Sequence, residues 1–156
     1  TTESSLVNTG TLTYNNIPEA NRFQAQLVGL DWVGTTELVT NGDFATDSDW
    51  NKQTGWTISA GVASCDGTPN ANINQFNVVE AGKVYFASIT VTEYTSGSID
   101  INIGGSTRQG AFDTVATHTV VVVATSSETI FYQANDSSGF AGSIDNVSVK
   151  QILEAP

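Results

Sequence analysis

The sequence predicts an all-β protein, a two-sheet antiparallel β-sandwich of jelly-roll type with an extended N-terminal arm. Thr, Ser, Asn and Gly are abundant, while helix-forming residues are sparse. No window keeps apolar residues at i, i+3, i+4 and i+7 over three turns, whereas several short segments alternate apolar and polar residues. Turn-forming residues separate these segments, and that pattern is typical of sandwiches.

The length of 156 residues is that of one domain. The single cysteine, Cys65, cannot form an internal disulfide, so stability must come from the core, an ion or an assembly. No apolar run approaches roughly 18 residues, and we expect no membrane span. The chain begins at Thr1, which is consistent with removal of an initiator methionine or with proteolytic maturation.

The charge is strongly negative, with 16 acidic against 5 basic residues and a formal net charge of −11. The basic residues are scattered along the chain: Arg22, Lys52, Lys83, Arg108 and Lys150. Nucleic-acid surfaces need clustered Lys and Arg, so no nucleic-acid partner is expected. The acidity fits a solvated surface, cation binding, or both.

The chain divides into an arm, residues 1–36, and a module, residues 37–156. Within the arm, Thr11–Ile17 and Arg22–Val28 are predicted extended segments, the second with regular alternation of apolar and polar residues. Phe23, Ala25, Leu27, Leu30 and Trp32 would form an apolar face on the arm. A tail free in solution would have no surface on which to bury this face, so we expect the arm to cover a surface of this chain or of a partner.

The module opens on a predicted corner. Leu38 and Thr40 share one side of an extended segment, and residues 41–43, Asn-Gly-Asp, tolerate positive φ. Three aromatic residues follow: Phe44, Trp50 and Trp56. Because large rings dominate local energetics when buried, we expect this loop to be ordered and folded back onto the core.

Seven further segments are predicted strands. They are residues 56–59, 62–66, 73–79, 83–94, 98–104, 117–124 and 129–135, and residues 142–152 close the sheet. Ala60-Gly61 predicts a two-residue hairpin between the first two. In 83–94 the alternate apolar residues form a core face, and in 98–104 the side with Asp100 and Asn102 should be exposed. Val120–Val123 suits a strand covered on both faces or a shielded edge.

Four sequence stretches carry a family resemblance: residues 38–44 (LVTNGDF), 55–58 (GWTI), 61–63 (GVA) and 142–149 (GSIDNVSV). Together they resemble the β-sandwich modules of the carbohydrate-binding-module 4/9/22 type. The sequence of residues 41–68 is more specifically similar to module copies in tail and head proteins of bacterial viruses. The resemblance covers residues 37–152, and because one fold hosts many activities, the site needs its own argument.

A candidate metal site centres on Asp145. It has the same parity as Val147 and Val149, so on a regular strand its carboxylate would point inward and need a cation, backbone N–H groups or an Arg. The resemblance implies a structural Ca²⁺ here, with oxygens around Thr40, Asn41 or Asp43 as further ligands. The alternative is an Asp that caps backbone amides at a strand end or bulge.

Candidate sugar-stacking residues are the aromatics expected to reach a loop or a concave face. They are Trp50, Tyr94, Phe112, Tyr132 and Phe140. The alternative for each is a core or loop anchor, since aromatic residues in sandwiches usually pack inward.

Catalysis has little support in the sequence. His118 has no partner histidine and no Ser or Cys spacing of a triad, and Cys65 is expected to be a small buried apolar residue. Asp43 and Asp145 remain open as a general acid and base pair. The family that the chain resembles is non-catalytic, so we expect no enzyme.

The leading functional interpretation is a non-catalytic virion structural protein that decorates or cements a capsid. It would contact the major capsid protein or another virion protein, form a homo-oligomer and lie on the particle surface. The alternatives are a glycan-binding tail-fibre or adhesin module and the carbohydrate-binding module of a secreted glycoside hydrolase.

Overall fold

The computed structural model describes residues 34–76, 79–106, 108–127 and 139–153, and the backbone alone of 129–134. The two predicted arm segments, Thr11–Ile17 and Arg22–Val28, lie outside the described residues. The boundary between arm and module stays a prediction. Within the described part, no helix is long and apolar enough to cross a membrane.

Ten β-strands make up the regular structure of the described residues. They are β1 Asn51–Lys52, β2 Trp56–Ser59, β3 Val62–Asp66, β4 Asn72–Phe76, β5 Val84–Gly97, β6 Ile99–Ile103, β7 Gln109–Phe112, β8 Ala116–Val123, β9 Thr129–Ala134 and β10 Phe140–Gln151. The predicted all-β fold is confirmed, and two short strands, β1 and β7, were not predicted.

The strands form two five-stranded antiparallel sheets. Sheet I has the order β1-β4-β9-β6-β7, and sheet II has the order β2-β3-β10-β5-β8. Strands that follow one another in the chain often lie in different sheets, so several connections cross from one sheet of the sandwich to the other. Each sheet turns one face inward, and those inner faces build a shared core.

Alternation along the strands sets the core. Tyr85, Ala87, Ile89 and Val91 of β5 are each at most 1% exposed, so the predicted core face is confirmed. Sheet I contributes Ile99, Ile101 and Ile103 from β6, all 0% exposed.

The predicted hairpin between β2 and β3 is confirmed. Ser59 pairs with Val62 across the turn, and Ala60 and Gly61 both take positive φ values of 53° and 77°. Two consecutive positive φ values define the type I′ geometry that matches strand twist.

The segment before the corner is not a strand, contrary to the prediction for Leu38 and Thr40, but it is tied to β10. Leu38 donates its N–H to the Val149 carbonyl at 3.0 Å. The Glu37 carboxylate accepts the Val149 N–H at 2.8 Å and the Ser148 hydroxyl at 2.5 Å, as well as the N–H groups of its own two successors. One exposed carboxylate therefore joins the first described segment to the last strand.

The predicted corner is present. Asn41 has a φ of 52°, and the Gly42 carbonyl accepts the Val147 N–H at 2.9 Å. A Cβ at Gly42 would lie 2.2 Å from the Val147 carbonyl oxygen, so the close approach of the two backbones requires glycine. The three aromatics of the loop are at most 7% exposed, which confirms that the loop folds onto the core.

Candidate functional site

The polar side of β6 is buried, contrary to the half-exposed strand that its alternation predicts. Asp100 is 7% exposed and Asn102 is partly buried. The isoleucines between and beside them fill the core, so these two polar side chains lie on the outer face of sheet I. Burying a polar group is costly unless the group is hydrogen-bonded, so the hydrogen-bond partners of Asp100 and Asn102 have to be identified.

Cross-strand register places four polar residues together on that outer face. Asn74 of β4 and Asn102 of β6 both pair with Phe131 of β9, while Asn72 and Asp100 both pair with residue 133. Directly opposed residues in antiparallel ladders share a face. We call Asn72, Asn74, Asp100 and Asn102 the polar patch; Asn74 and Asn102 lie two strand spacings apart, roughly 9–10 Å.

Part of the polar patch is satisfied by a bulge in β7. The pairing of β6 with β7 shifts register between Ile99 and Asp100, and Ala111 takes a φ of 65° there. This turns the Ala111 N–H toward Asp100, whose Oδ1 accepts it at 2.7 Å. Asn102 donates from Nδ2 to the Ser106 carbonyl in the β6–β7 turn. The bulge and the turn thus hold two of the four side chains in place.

Two other polar atoms of the patch have no hydrogen-bond partner among the described residues. Asn74 is 5% exposed, yet its Nδ2 has no hydrogen-bond partner among the described residues, and the same holds for Oδ1 of Asn102. One atom is a donor and the other an acceptor. An unpaired buried polar group costs about 1–3 kcal/mol, and such exceptions in folded proteins call for a ligand, a water or a strain-based reason.

An exposed aromatic ring adjoins the patch. Phe76, the last residue of β4, has the parity of Asn72 and Asn74 and is 61% exposed. It follows Asn74 by two residues, about 6.6 Å along the strand. Sequence reasoning missed Phe76, although its parity opposite the buried Ile73 places it on the outer face with the asparagines.

A cleft of about 530 Å³ opens at the β1 edge of sheet I. Lys52, Gln53 and Asn70 are among the residues that line it. Gln53 connects it to the patch, because its Oε1 accepts the Asn72 N–H at 3.0 Å. The polar surface therefore continues from the patch to this edge.

The structure corrects two of the predicted sugar-stacking residues. Trp50 is 7% exposed, packs on Phe44 at 5.3 Å between ring centroids and donates its indole N–H to the Asn41 carbonyl. Phe140 is 0% exposed and stacks on Trp56 at 6.3 Å. Both rings are anchors of the core, so neither offers a face to a sugar.

The other predicted aromatics differ in position. Tyr94 is 38% exposed on β5 and donates its hydroxyl to the Gly97 carbonyl at 3.1 Å, so it remains a candidate. Phe112 is partly buried and stacks on His118 at 4.3 Å. Tyr132 lies on β9, where the side chains are outside the described residues. Neither Tyr94, on sheet II, nor Phe112 lies in the polar patch.

Asp145 does not follow the parity predicted from Val149. Asn146 takes a φ of 51°, and the ladder between β10 and β5 shifts register between Asp145 and Ser148. The carboxylate of Asp145 is partly buried and accepts the Asn146 N–H at 2.6 Å and its side-chain amide at 3.1 Å. This is the capping role at a bulge that the sequence left open as the alternative.

The other predicted calcium ligands are engaged in hydrogen bonds. The Thr40 carbonyl accepts the Gln75 amide at 2.6 Å, and the Asn41 carbonyl accepts the Trp50 indole N–H at 2.9 Å. Asp43 accepts the Ala45 N–H at 3.4 Å. No group of three acidic, His or Cys side chains in the described part is arranged to hold a metal. These residues fit a hydrogen-bonded corner better than a cation cage, and calcium stays a prediction that melting with and without chelator can check.

The remaining candidates for chemistry are structural. His118 contacts the Thr114 carbonyl through Nε2 at 2.9 Å in addition to its stacking on Phe112. Cys65 is 5% exposed in β3, and burial raises the pKa of its thiol. A thiol kept protonated in this way is a poor nucleophile, in line with the expected small buried residue.

Comparison with solved structures shows the fold. The apo structure of BiXyn10A CBM1 matches with a TM-score of 0.50 and 15% identity, over 72% of this chain and 94% of that one. A mutant of a family 29 carbohydrate-binding module matches at 0.49 and 13% identity, over 76% and 91%. Tailspike protein 4 of bacteriophage CBA120 matches at 0.45 and 19% identity, over 74% of this chain and 21% of that one.

No family model matches the sequence, and no curated protein matches it. The likeness to BiXyn10A CBM1 therefore shows the architecture of a carbohydrate-binding-module β-sandwich, and the role of the surface has to be argued from its own residues.

Proposed function

We propose that this protein is a non-catalytic glycan-binding module whose ligand lies on the outer face of sheet I, across the polar patch and Phe76. The observation that carries the proposal is a pair of atoms without partners among the described residues, Nδ2 of Asn74 and Oδ1 of Asn102, on one face beside an exposed aromatic ring. The fold shared with BiXyn10A CBM1 is compatible with this use.

The chemistry of the patch suits sugars. A sugar hydroxyl both donates and accepts hydrogen bonds, so hydroxyls on different sugar residues of one oligosaccharide can accept from Asn74 and donate to Asn102. Each contact would remove a desolvation cost of about 1–3 kcal/mol that the free protein carries. The apolar face of a sugar ring can lie against Phe76. The patch and Phe76 together thus combine a few fixed polar groups with an aromatic surface, as small-molecule sites commonly do.

The charge favours a neutral glycan. The chain carries a formal net charge of −11, and the patch itself contains the carboxyl group of Asp100. Uronates, sialic acids and sulfated sugars would meet an unfavourable potential at this surface.

Binding requires the patch to open. The two unpartnered atoms are shielded from solvent, whereas Phe76 is accessible. A glycan therefore meets the ring first and reaches the amides only after neighbouring side chains move. Association that needs such a rearrangement is slower than rigid docking, so we expect a modest association rate.

The test is a glycan array, followed by calorimetry with the soluble oligosaccharide that gives the highest signal. Phe76→Ala should weaken its binding about tenfold or more, since ring stacking and area burial are lost together. Tyr94→Ala is the matched control, because Tyr94 is the exposed ring of the other sheet. A polygalacturonate sample should not bind. Loss of binding in Tyr94→Ala with normal binding in Phe76→Ala would overturn the proposal.

Virion location, a capsid or tail partner and membership of a larger glycoside hydrolase stay predictions. Each is compatible with a glycan-binding module, and isolation of the native protein from its source, on a particle or joined to an enzyme, would separate them.

A further inference from the structure

The four edge strands of the two sheets differ in how open they are to further pairing. β1 has 2 residues, β2 has 4, and β7 has 4 with the bulge at Ala111. Short and bulged edges are common protections against association of sheets. β8 has 8 residues and pairs with β5 from Val91 back to Val84 without a register shift. No described residue pairs with its other side.

The composition of β8 adds to this difference. Residues 114–127 contain no Asp, Glu, Lys, Arg or Pro, in a chain whose net charge is −11. Charged residues and prolines are the usual means of protecting an edge, and β8 has neither. Val123, the last residue of β8, is 54% exposed, and Val115, which directly precedes the strand, is 62% exposed.

We propose that β8 pairs antiparallel with β8 of a second copy of this chain, about a twofold axis at Thr119. The two five-stranded sheets II would then join into one continuous sheet. Strand addition of this kind gains its affinity from main-chain hydrogen bonds and its register from side chains.

The exposed valines fix the register. Thr117 pairs with Thr90 on the outer face, so Thr119 and Val123, which have the same parity, belong to that face as well, and Val115 lies in the bend directly before β8. Val115 and Val123 each lie four positions from Thr119. An axis at Thr119 therefore brings the bend at Val115 beside Val123 of the partner subunit at both ends of the seam, and both exposed valines become covered.

The symmetry also favours a second copy over an unrelated partner. A twofold contact requires a self-complementary surface, and a segment with exposed valines equidistant from Thr119 has that property. Moving the axis to Val120 would pair Val123 with Thr117 and leave Val115 uncovered. Because the strand is uncharged, the acidic chains can approach here without like charges facing each other across the seam.

Sedimentation velocity of the full chain over a range of concentrations tests the proposal. We expect a monomer–dimer equilibrium in the wild type. Thr119→Lys places two ammonium groups opposite each other at the axis and should weaken the dimer about fivefold or more. Thr57→Lys, on the exposed side of the short edge β2, is the matched control and should leave the dimer unchanged.

A cross-linking experiment checks the register. Thr119→Cys in a Cys65→Ala background should form a covalent dimer on oxidation, since opposed Cα atoms about 4.5–5.5 Å apart lie within disulfide range. Thr57→Cys in the same background should not. A wild type that stays monomeric up to about 1 mM, where a dimer would be worth only about 4 kcal/mol, would overturn the proposal. So would a dimer that resists Thr119→Lys, or one that forms only when residues 1–33 are removed.

Discussion

The outer faces of the two sheets differ in how completely their polar side chains are hydrogen-bonded. On sheet II, Ser64 and Ser143 share a hydrogen bond of 2.8 Å, and Ser143 donates to Glu93 at 3.2 Å. Thr90 and Thr117 pair at 2.9 Å. On sheet I, the amides of the polar patch keep one donor and one acceptor unpartnered among the described residues.

The hydrogen bonding of the two outer faces indicates a different role for each. Hydroxyl groups that satisfy one another need nothing further, so the outer face of sheet II is a stabilising surface. Buried amides without partners reduce the stability of the free protein, and a bound molecule that supplies the missing partners recovers that free energy. The face that contributes less to folding is therefore the better candidate for binding.

The largest expected effect concerns the polar contacts that secure sheet II. Glu37→Ala removes the acceptor of the Val149 N–H and the Ser148 hydroxyl, and should lower the free energy of unfolding by about 2–3 kcal/mol. Chemical denaturation measures it. Asp47→Ala is the control, because Asp47 makes a surface ion pair with Lys52 and should change stability by less than about 1 kcal/mol. Equal effects would show that the Glu37 contacts add no special stability.

The next effect tests the satisfied hydroxyl groups. Ser143 is 4% exposed, and Ser143→Ala leaves Ser64 and Glu93 without a shared partner. We expect a loss of about 1–2 kcal/mol in the free energy of unfolding. Thr117→Val, at an exposed pair on the same face, should change it by at most about 0.5 kcal/mol. A Ser143→Ala variant that is more stable than the wild type would show that the hydroxyl groups on the outer face of sheet II do not stabilise the fold.

A smaller change in stability, but a loss of binding, is expected on sheet I. Asn74→Leu replaces an amide whose Nδ2 has no partner among the described residues with an apolar group of similar volume, so the free energy of unfolding should stay within about 1 kcal/mol of the wild type or rise. Glycan affinity should fall about tenfold or more, because a contact made only with the ligand is lost. A loss of stability above about 2 kcal/mol would mean that the amide is satisfied in the free protein, as by a buried water.

The smallest effect concerns pH at the edge of sheet II. Asp66 accepts the Thr68 hydroxyl at 2.6 Å and the Thr68 N–H at 2.9 Å, and these bonds lower the pKa of its carboxyl. A lowered folded-state pKa stabilises the fold above the unfolded pKa, and that stability is lost as pH falls through the folded value. Thr68→Val should therefore flatten the acid limb of the melting temperature against pH. An unchanged acid limb would show that the bond does not contribute.

Local signals in the sequence predict the fold well. The Ala60-Gly61 turn and the core face of β5 are confirmed because each depends on residues that are near in sequence. The patch was harder to predict, since burial of Asp100 depends on distant strands. The parity of Asp145 fails because Asn146 adopts positive φ without a glycine to signal the bulge.

The most direct test of the proposed glycan-binding surface is an NMR titration of the full chain with the neutral oligosaccharide selected by the array, or with xylohexaose, cellohexaose and mannohexaose in turn. We predict shifts at the side-chain amides of Asn74 and Asn102 and at the Phe76 ring, with the signals of Ser64, Ser143 and Tyr94 unchanged. Shifts confined to sheet II, or none with any of these sugars, would contradict the account.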